Sequence, residues 1–272
     1  MTNILVKFGG AVLGDKQRKD FPLDLQKIIE GYDEYAWVDN IKRLAKEFSY
    51  AYNKFRDYNW CLINGAGPFG HFLVKNKADP EIVHKSVEFL NSKIVESFGE
   101  LGIDTVPVHP VKTCYYEGDC KYNIDNMWKE MQGLMEQKKI PFTYGDVVPT
   151  KDCKGEYYDN YEIMSGDISV EKIANIWPAT KVYLATDVDG VYATVDGKLP
   201  DLQVAMGISF KPNGSYEIRF RKAKIDVTNE MVGKLASIAK LNAPVRIFNG
   251  LKPGYLKRAL CHDVGGTLIT KA

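Results

Sequence analysis

The chain lacks any apolar run approaching the roughly 20 residues a helix needs to cross a bilayer, so no membrane-spanning helix and no membrane partner are expected. Charge of one sign is lacking too: 36 Lys and Arg stand against 35 Asp and Glu, a formal net charge of +1. Such a balance supplies no global field to attract nucleic acid or an anionic surface; any anion must be caught by a local site. Cysteine is sparse, with five residues (Cys61, Cys114, Cys120, Cys153 and Cys261) and no C-x-x-C spacing. That pattern excludes a disulfide frame and a zinc knuckle. Cys61 lies in an apolar run and reads as a small buried hydrophobe. Cys114, Cys120 and Cys153 flank loop-like segments and read as reduced surface thiols. The opening MTNILVKFGG has too short an apolar stretch for a secretory signal, so a cytoplasmic location is expected. Repeats and low-complexity tracts are absent as well.

What is present is ordinary globular composition, 45% hydrophobic and 26% charged over 272 residues, enough for one large domain or two fused lobes. Short β-rich runs alternate with segments of helical period. Strands are expected at 4–8, 60–64, 105–109, 140–148, 181–188, 245–248 and 266–270, several of them apolar on both faces. Helices are expected at 38–55, 82–98, 124–138, 168–176, 229–242 and 252–260, the first two carrying clear apolar stripes. The alternation predicts a three-layer αβα sandwich with a mostly parallel open sheet. Residues 15–37 and 111–127 read as loops or flaps, and 150–164 as a hairpin turning near Gly155. A division near residue 179 gives an N-lobe of about 1–178 and a C-lobe of about 179–272 within a single domain.

Glycine marks the strand ends: KFGG, INGAG, TYGD and IFNG. In an open α/β sheet, ligands bind beyond the carboxyl ends of the strands. Glycine there lets backbone N–H groups close around an anion. INGAGPFGH, residues 63–71, fits three kinds of phosphate loop. As G-x-G-x-x-G it lacks an acidic residue at a strand end about 20 residues on. As a P-loop it puts His71 and Phe72 where Lys and a hydroxyl are needed. The third reading is an acceptor-phosphate loop built from backbone amides and an imidazole that donates hydrogen bonds.

Lys7, inside the first strand, is oddly placed for an ammonium unless it reaches a site. Lys16 and Lys234 carry no such signal alone. Asp167 follows Gly166 at a helix N-terminus, where the simplest role is a cap; the other is a counter-ion to lysines. Thr186 and Asp187 end a strand, and Asp189–Gly190 suits a turn.

In order, KFGGAVLGDK, NGAGPFGH, YGDVV, SGD, TDVDGVY, DVTNEMVGK and GTLIT resemble the amino acid kinase family, in its isopentenyl phosphate kinase branch. The likeness spans nearly the whole chain, with residues 17–37 and 111–127 contributing little. It implies ATP and Mg²⁺ as cofactors, a small phosphorylated substrate and a homodimer. It also implies roles for individual positions. Lys7, Gly9 and Gly10 resemble the residues that meet the transferring phosphoryl group, and Lys16 the second lysine of that loop. His71 resembles the histidine that hydrogen-bonds the acceptor phosphate, with Ala66, Gly67, Gly70 and Gly166 around it. Asp167 resembles the aspartate that orients the lysines, and Lys234 the lysine on the leaving phosphates. Thr186, Asp187, Gly190 and Val191 fall in the nucleotide segment. Four departures stand out: Ala11 for Ser, Asn64 for the His of HGAGSFGH, Pro68 for its Ser, and Asn229–Glu230 for a glycine pair.

An acceptor that is itself a phosphate is already an anionic nucleophile, so positioning and charge neutralisation dominate the chemistry. The expected reaction is ATP-dependent conversion of isopentenyl phosphate to isopentenyl diphosphate, with Val87, Phe89 and Ile163 lining the tail pocket. The alternatives are a kinase of another phosphomonoester or phosphonate, similar to fosfomycin kinases, and a non-catalytic nucleotide-binding relative.

Overall fold

The computed structural model describes residues 2–16, 18–119, 121–151, 160–195, 202–204, 207–211, 216–219, 225–227 and 238–271. The strands that matter here are β1 (Asn3–Phe8), β2 (Asn59–Asn64), β3 (Thr105–Pro107), β4 (Ile140–Tyr144), β5 (Asp146–Pro149), β6 (Tyr161–Met164), β7 (Lys181–Thr186), β8 (Gly207–Phe210), β9 (Tyr216–Arg219), β10 (Val245–Asn249) and β11 (Thr267–Lys271). All but β5 and β6 form one nine-stranded sheet in the order β9-β8-β11-β10-β7-β1-β2-β4-β3. Pairing is parallel except between β10 and β11 and between β8 and β9. The expected mostly parallel sandwich is the fold observed.

Strand alternation sorts β1 between two cores. Ile4, Val6 and Phe8 join the apolar layer under α3 (Val38–Lys54), α4 (Gly67–Lys75), α5 (Pro80–Gly99) and a C-terminal helix at Tyr255–His262. Leu5 joins the opposite layer, with Met127 and Met131 of the helix Asp125–Glu136 and Val170 and Ile173 of the helix Gly166–Ile176. Lys7 therefore points towards the second layer, under the helix that carries Asp167.

Several expectations change. The run 140–148 is not one strand: the chain breaks at Gly145, and β5 leaves the main sheet to pair antiparallel with β6. Residues 15–37 hold two short helices, α1 (Leu25–Glu30) and α2 (Tyr32–Tyr35), rather than an open loop. Asp24 caps α1 by accepting from the Lys27 N–H at 3.0 Å. Phe21 is buried and packs on Tyr35 and Phe69 with ring centroids 4.9 and 5.2 Å apart. Segment 111–127 holds most of α6 (Pro110–Thr113), a two-stranded turn pairing Tyr115–Tyr116 with Tyr122–Asn123, and the start of the next helix.

Cys114 is buried against Met127 rather than on the surface, and burial pushes its thiol up to about 12. Cys120, Cys153, the turn near Gly155 and most of the expected 229–242 helix lie outside the described residues. No helix among the described residues is long and apolar enough to cross a membrane.

Candidate functional site

The site sits where β1 and β2 run out into glycine loops, at the carboxyl edge of the sheet. The Gly9 N–H donates to the Ala185 carbonyl and the Gly65 N–H to the Phe8 carbonyl, each at 2.8 Å, so both loops stay in register with the strands beside them. At Gly10 a Cβ would stand 2.4 Å from the Gly67 nitrogen and 3.0 Å from Lys16 Cε. No larger residue fits without parting the two loops. Gly67 itself has φ +55°, the left-handed region that glycine enters without strain.

Lys7 is 8% exposed, and its Nζ lies 2.6 Å from Asp167 Oδ1. The cap of the helix Gly166–Ile176 is Ser165, whose Oγ accepts from the Ile168 N–H at 3.3 Å. Asp167, in the first turn, is thus the counter-ion of Lys7 and not the cap. A Cβ at Gly166 would come within 3.2 Å of Lys7 Cε, so the absence of a side chain there lets the lysine pass.

Two cavities meet at this point. One, of about 240 Å³, is lined by Gly9, Ala11, Thr186 and Asp187, with Leu184, Ile247 and Val170 as its apolar wall. The other, of about 170 Å³, is lined by Gly65, Ala66, Gly70, His71, Ser165 and Gly166, by Val74, Val83, Val87, Val147, Ile163 and Met164, and by Gly145 and Asp146. Lys7, Gly10, Lys16 and Asp167 line both. The shared wall thus carries two ammonium groups, and only the second cavity has a histidine.

His71, on α4, is solvent-accessible, yet its surroundings hold its imidazole below the ordinary pKa. Desolvation by the enclosing protein is the main cause, and the charges of Lys16 and Lys7 add to it. At neutral pH the ring is neutral and has one N–H to donate. Pro68 occupies the first turn of α4, where its missing N–H costs nothing. A Cβ at Gly14 would stand 2.8 Å from its Cγ, so Pro68 braces the loop that carries Lys16. Asn64 is buried; its Oδ1 accepts from Asn91 Nδ2 at 2.8 Å and its Nδ2 donates to the Gly65 carbonyl at 3.2 Å.

The remaining expected positions divide. Val87 and Ile163 line the second cavity, whereas Phe89 does not; it meets Tyr32 edge-on at 5.6 Å. The Thr186 hydroxyl turns back to the Val188 and Phe248 carbonyls at 3.2 and 3.4 Å, which makes it a brace for the turn. Gly190 and Val191 are not among the residues lining the first cavity; Val191 is buried and donates its N–H to Thr267 Oγ1 at 2.9 Å. Asp189 is tied to Lys252 and Asn249. Lys234, Asn229 and Glu230 lie outside the described residues. Val74, Val83, Val147 and Met164 were not anticipated. Their apolar side chains carry the same pattern whether they face a cavity or a core.

The sequence model of the amino acid kinase family matches residues 3–249. The chain is 26% identical to an isopentenyl phosphate kinase of Methanothermobacter thermautotrophicus, covering 98% of each. It is 28% identical to the isopentenyl phosphate kinase of Methanocaldococcus jannaschii, covering 97% of each. Among solved folds it is similar to an isopentenyl phosphate kinase with a TM-score of 0.72 at 23% identity, over 98% of this chain and all of the other.

Proposed function

Because the chain belongs to the amino acid kinase family, we propose that it transfers the γ-phosphoryl group of ATP to the phosphate of isopentenyl phosphate, giving isopentenyl diphosphate. The observation that carries this reading is the pair of cavities joined by a wall of Lys7, Lys16, Gly10 and Asp167. A donor and an acceptor that are both phosphates repel each other, and two lysines between them offset that repulsion where the groups must meet. The acceptor cavity supports a phosphate with a short hydrocarbon tail: it joins lysines, glycine amides and His71 to a lining of valine, isoleucine and methionine in which Asp146, Ser165 and Asp167 are the other polar residues.

The roles follow from position. Lys7, held by Asp167, and Lys16 stabilise charge on the transferring group. His71 donates to the acceptor phosphate and aligns the attacking oxygen. No general base is required, because a phosphomonoester is already ionised near neutral pH. Gly9, Gly10 and Asp187 serve the nucleotide, and the family resemblance assigns Lys234 to its leaving phosphates. Mg²⁺ would be held mainly by nucleotide phosphate oxygens with one or two carboxylates. Asp187, which lines the donor cavity, fits that requirement. When bound, the ion neutralises charge on the β- and γ-phosphates.

The acceptor cavity draws only on residues before 178 and the donor cavity on both halves, which supports a division of labour between the two lobes. A homodimer acting in the cytoplasm completes the proposal.

An ADP-release screen with Mg-ATP over isopentenyl phosphate, dimethylallyl phosphate, fosfomycin and small sugar phosphates tests it. Turnover is expected on the prenyl phosphates. Preference for fosfomycin or a polar phosphate would overturn the substrate.

A further inference from the structure

Beside the acceptor cavity lies a cluster of titratable side chains that the transfer chemistry does not use. Asp146 follows the break at Gly145, and its carboxylate is fully buried. It accepts from His84 Nδ1 on α5 at 2.9 Å, from the Val147 N–H at 2.8 Å and from the backbone of Val111 on α6. Around the pair stand Glu88 on α5, with Oε2 at 3.6 Å from His84 Nε2, and Lys112 on α6, with Nζ at 3.8 Å from Glu88. His109 bonds the Tyr144 hydroxyl at 2.8 Å and lies 3.2 Å from Glu88, and the Cys114 thiol also feels the Asp146 charge. The hydrogen bond to Asp146 holds the His84 imidazole above its ordinary pKa.

The pair joins two elements that line one cavity. His84 lies on α5 between Val83 and Val87, and Asp146 between Gly145 and Val147; these four neighbours and Asp146 itself line the acceptor cavity. Gly145 is also packed so closely on the next turn that a Cβ there would stand 2.9 Å from the Gly166 nitrogen. Gly166 immediately precedes Asp167, the counter-ion of Lys7.

We propose that His84 and Asp146 are positioning residues, a buried clasp that holds α5 against the Gly145–Val147 segment and so sets the width of the acceptor cavity. The inference rests on the acceptor assignment above for its kinetic consequence, but not for the clasp itself. A clasp of this kind changes acceptor recognition far more than nucleotide recognition, because His84 and its contacts lie away from the donor cavity.

Three variants separate a clasp from general destabilisation. His84→Asn restores an N–H where Nδ1 stands, His84→Ala removes it, and His84→Gln extends its amide past Asp146. Misplacement of a cavity wall is expected to cost about ten- to a hundredfold in kcat/KM for isopentenyl phosphate in His84→Ala and His84→Gln. KM for ATP should stay near wild type, and His84→Asn should recover most of the loss. As pH climbs through the raised pKa of His84, the wild-type acceptor KM should rise relative to that of His84→Asn, since the clasp loses its positive partner. Hydrogen exchange needs no substrate: peptides spanning 145–147 and 83–87 should exchange faster in the Ala and Gln variants only. Unchanged exchange in both, or parallel shifts of both KM values that His84→Asn fails to rescue, overturns the clasp. If wild type does not turn over isopentenyl phosphate, the function reading fails and the exchange pattern alone decides the clasp.

Discussion

Desolvation and the ammonium groups of Lys16 and Lys7 disfavour the charged form of the His71 ring and outweigh the opposing pull of Asp167. In the unliganded protein its midpoint is therefore expected below the ordinary imidazole value of about 6.5. A bound phosphate dianion beside the ring reverses the sign, favouring the protonated form and moving the midpoint upward. The chain has only four histidines, His71, His84, His109 and His262, so their ring C–H signals can be assigned by single substitutions in an NMR titration. His84 should titrate above the ordinary value and His71 below it. Saturating isopentenyl phosphate should raise the His71 midpoint. An unmoved His71 midpoint removes it from the acceptor site. At this scale little is legible locally: Lys7 is odd in its strand, but Lys16 is indistinguishable from a solvated loop charge, and Asp167 reads first as a helix cap. The cap is Ser165, and what Asp167 does depends on which face of β1 turns towards its helix, a fact of packing.

Elements were legible where burial imposed a period. The apolar runs of β1, β2, β7 and β10, and the stripes of α3 and α5, appear within a few residues of their expected bounds. What local pattern missed was set by tertiary contact. The helices in 15–37 are six and four residues long, too short to display a period. They hold because Phe21 packs on Tyr35 and Phe69, and Tyr32 on Phe69 and Phe89. That same packing takes Phe89 away from the tail pocket. The run 140–148 read as one strand because its residues suit a strand throughout, but Gly145 must close on Gly166, which bends the chain out of the sheet. The interlocked loops make a prediction at this scale. Gly10→Ala puts a methyl group 2.4 Å from the Gly67 nitrogen, so the loops must separate by roughly 1 Å to restore contact, a displacement that costs on the order of a hundredfold in rate. Circular dichroism should remain that of the wild type, because the sheet lies behind the loops. A folded Gly10→Ala protein with near wild-type turnover would show that the loop contact is not what places the reacting groups.

Across the whole molecule, a single sheet carries two cavities at its carboxyl edge, and the lining residues sort between them. His71 belongs only to the acceptor cavity, Asp187 only to the donor cavity, and Lys7 to both. Ligands that bind the folded state alone stabilise it by about 2.7 kcal/mol at a hundredfold excess over Kd, so melting temperature reports each cavity without any turnover. The wild type should be stabilised by isopentenyl phosphate and by Mg-ADP separately. His71→Ala should lose the first shift and keep the second. Asp187→Ala should do the reverse, because Asp187 lines the donor cavity and not the acceptor cavity. Lys7→Met removes an ammonium from the shared wall and should shrink both shifts; the Asp167 carboxylate it leaves behind is half-exposed and so costs little in stability of its own. The comparison is internal to each variant, so differences in baseline stability cancel. If His71→Ala loses both shifts together, or Lys7→Met loses only one, the two cavities do not share the wall described, and transfer must take place elsewhere on the molecule.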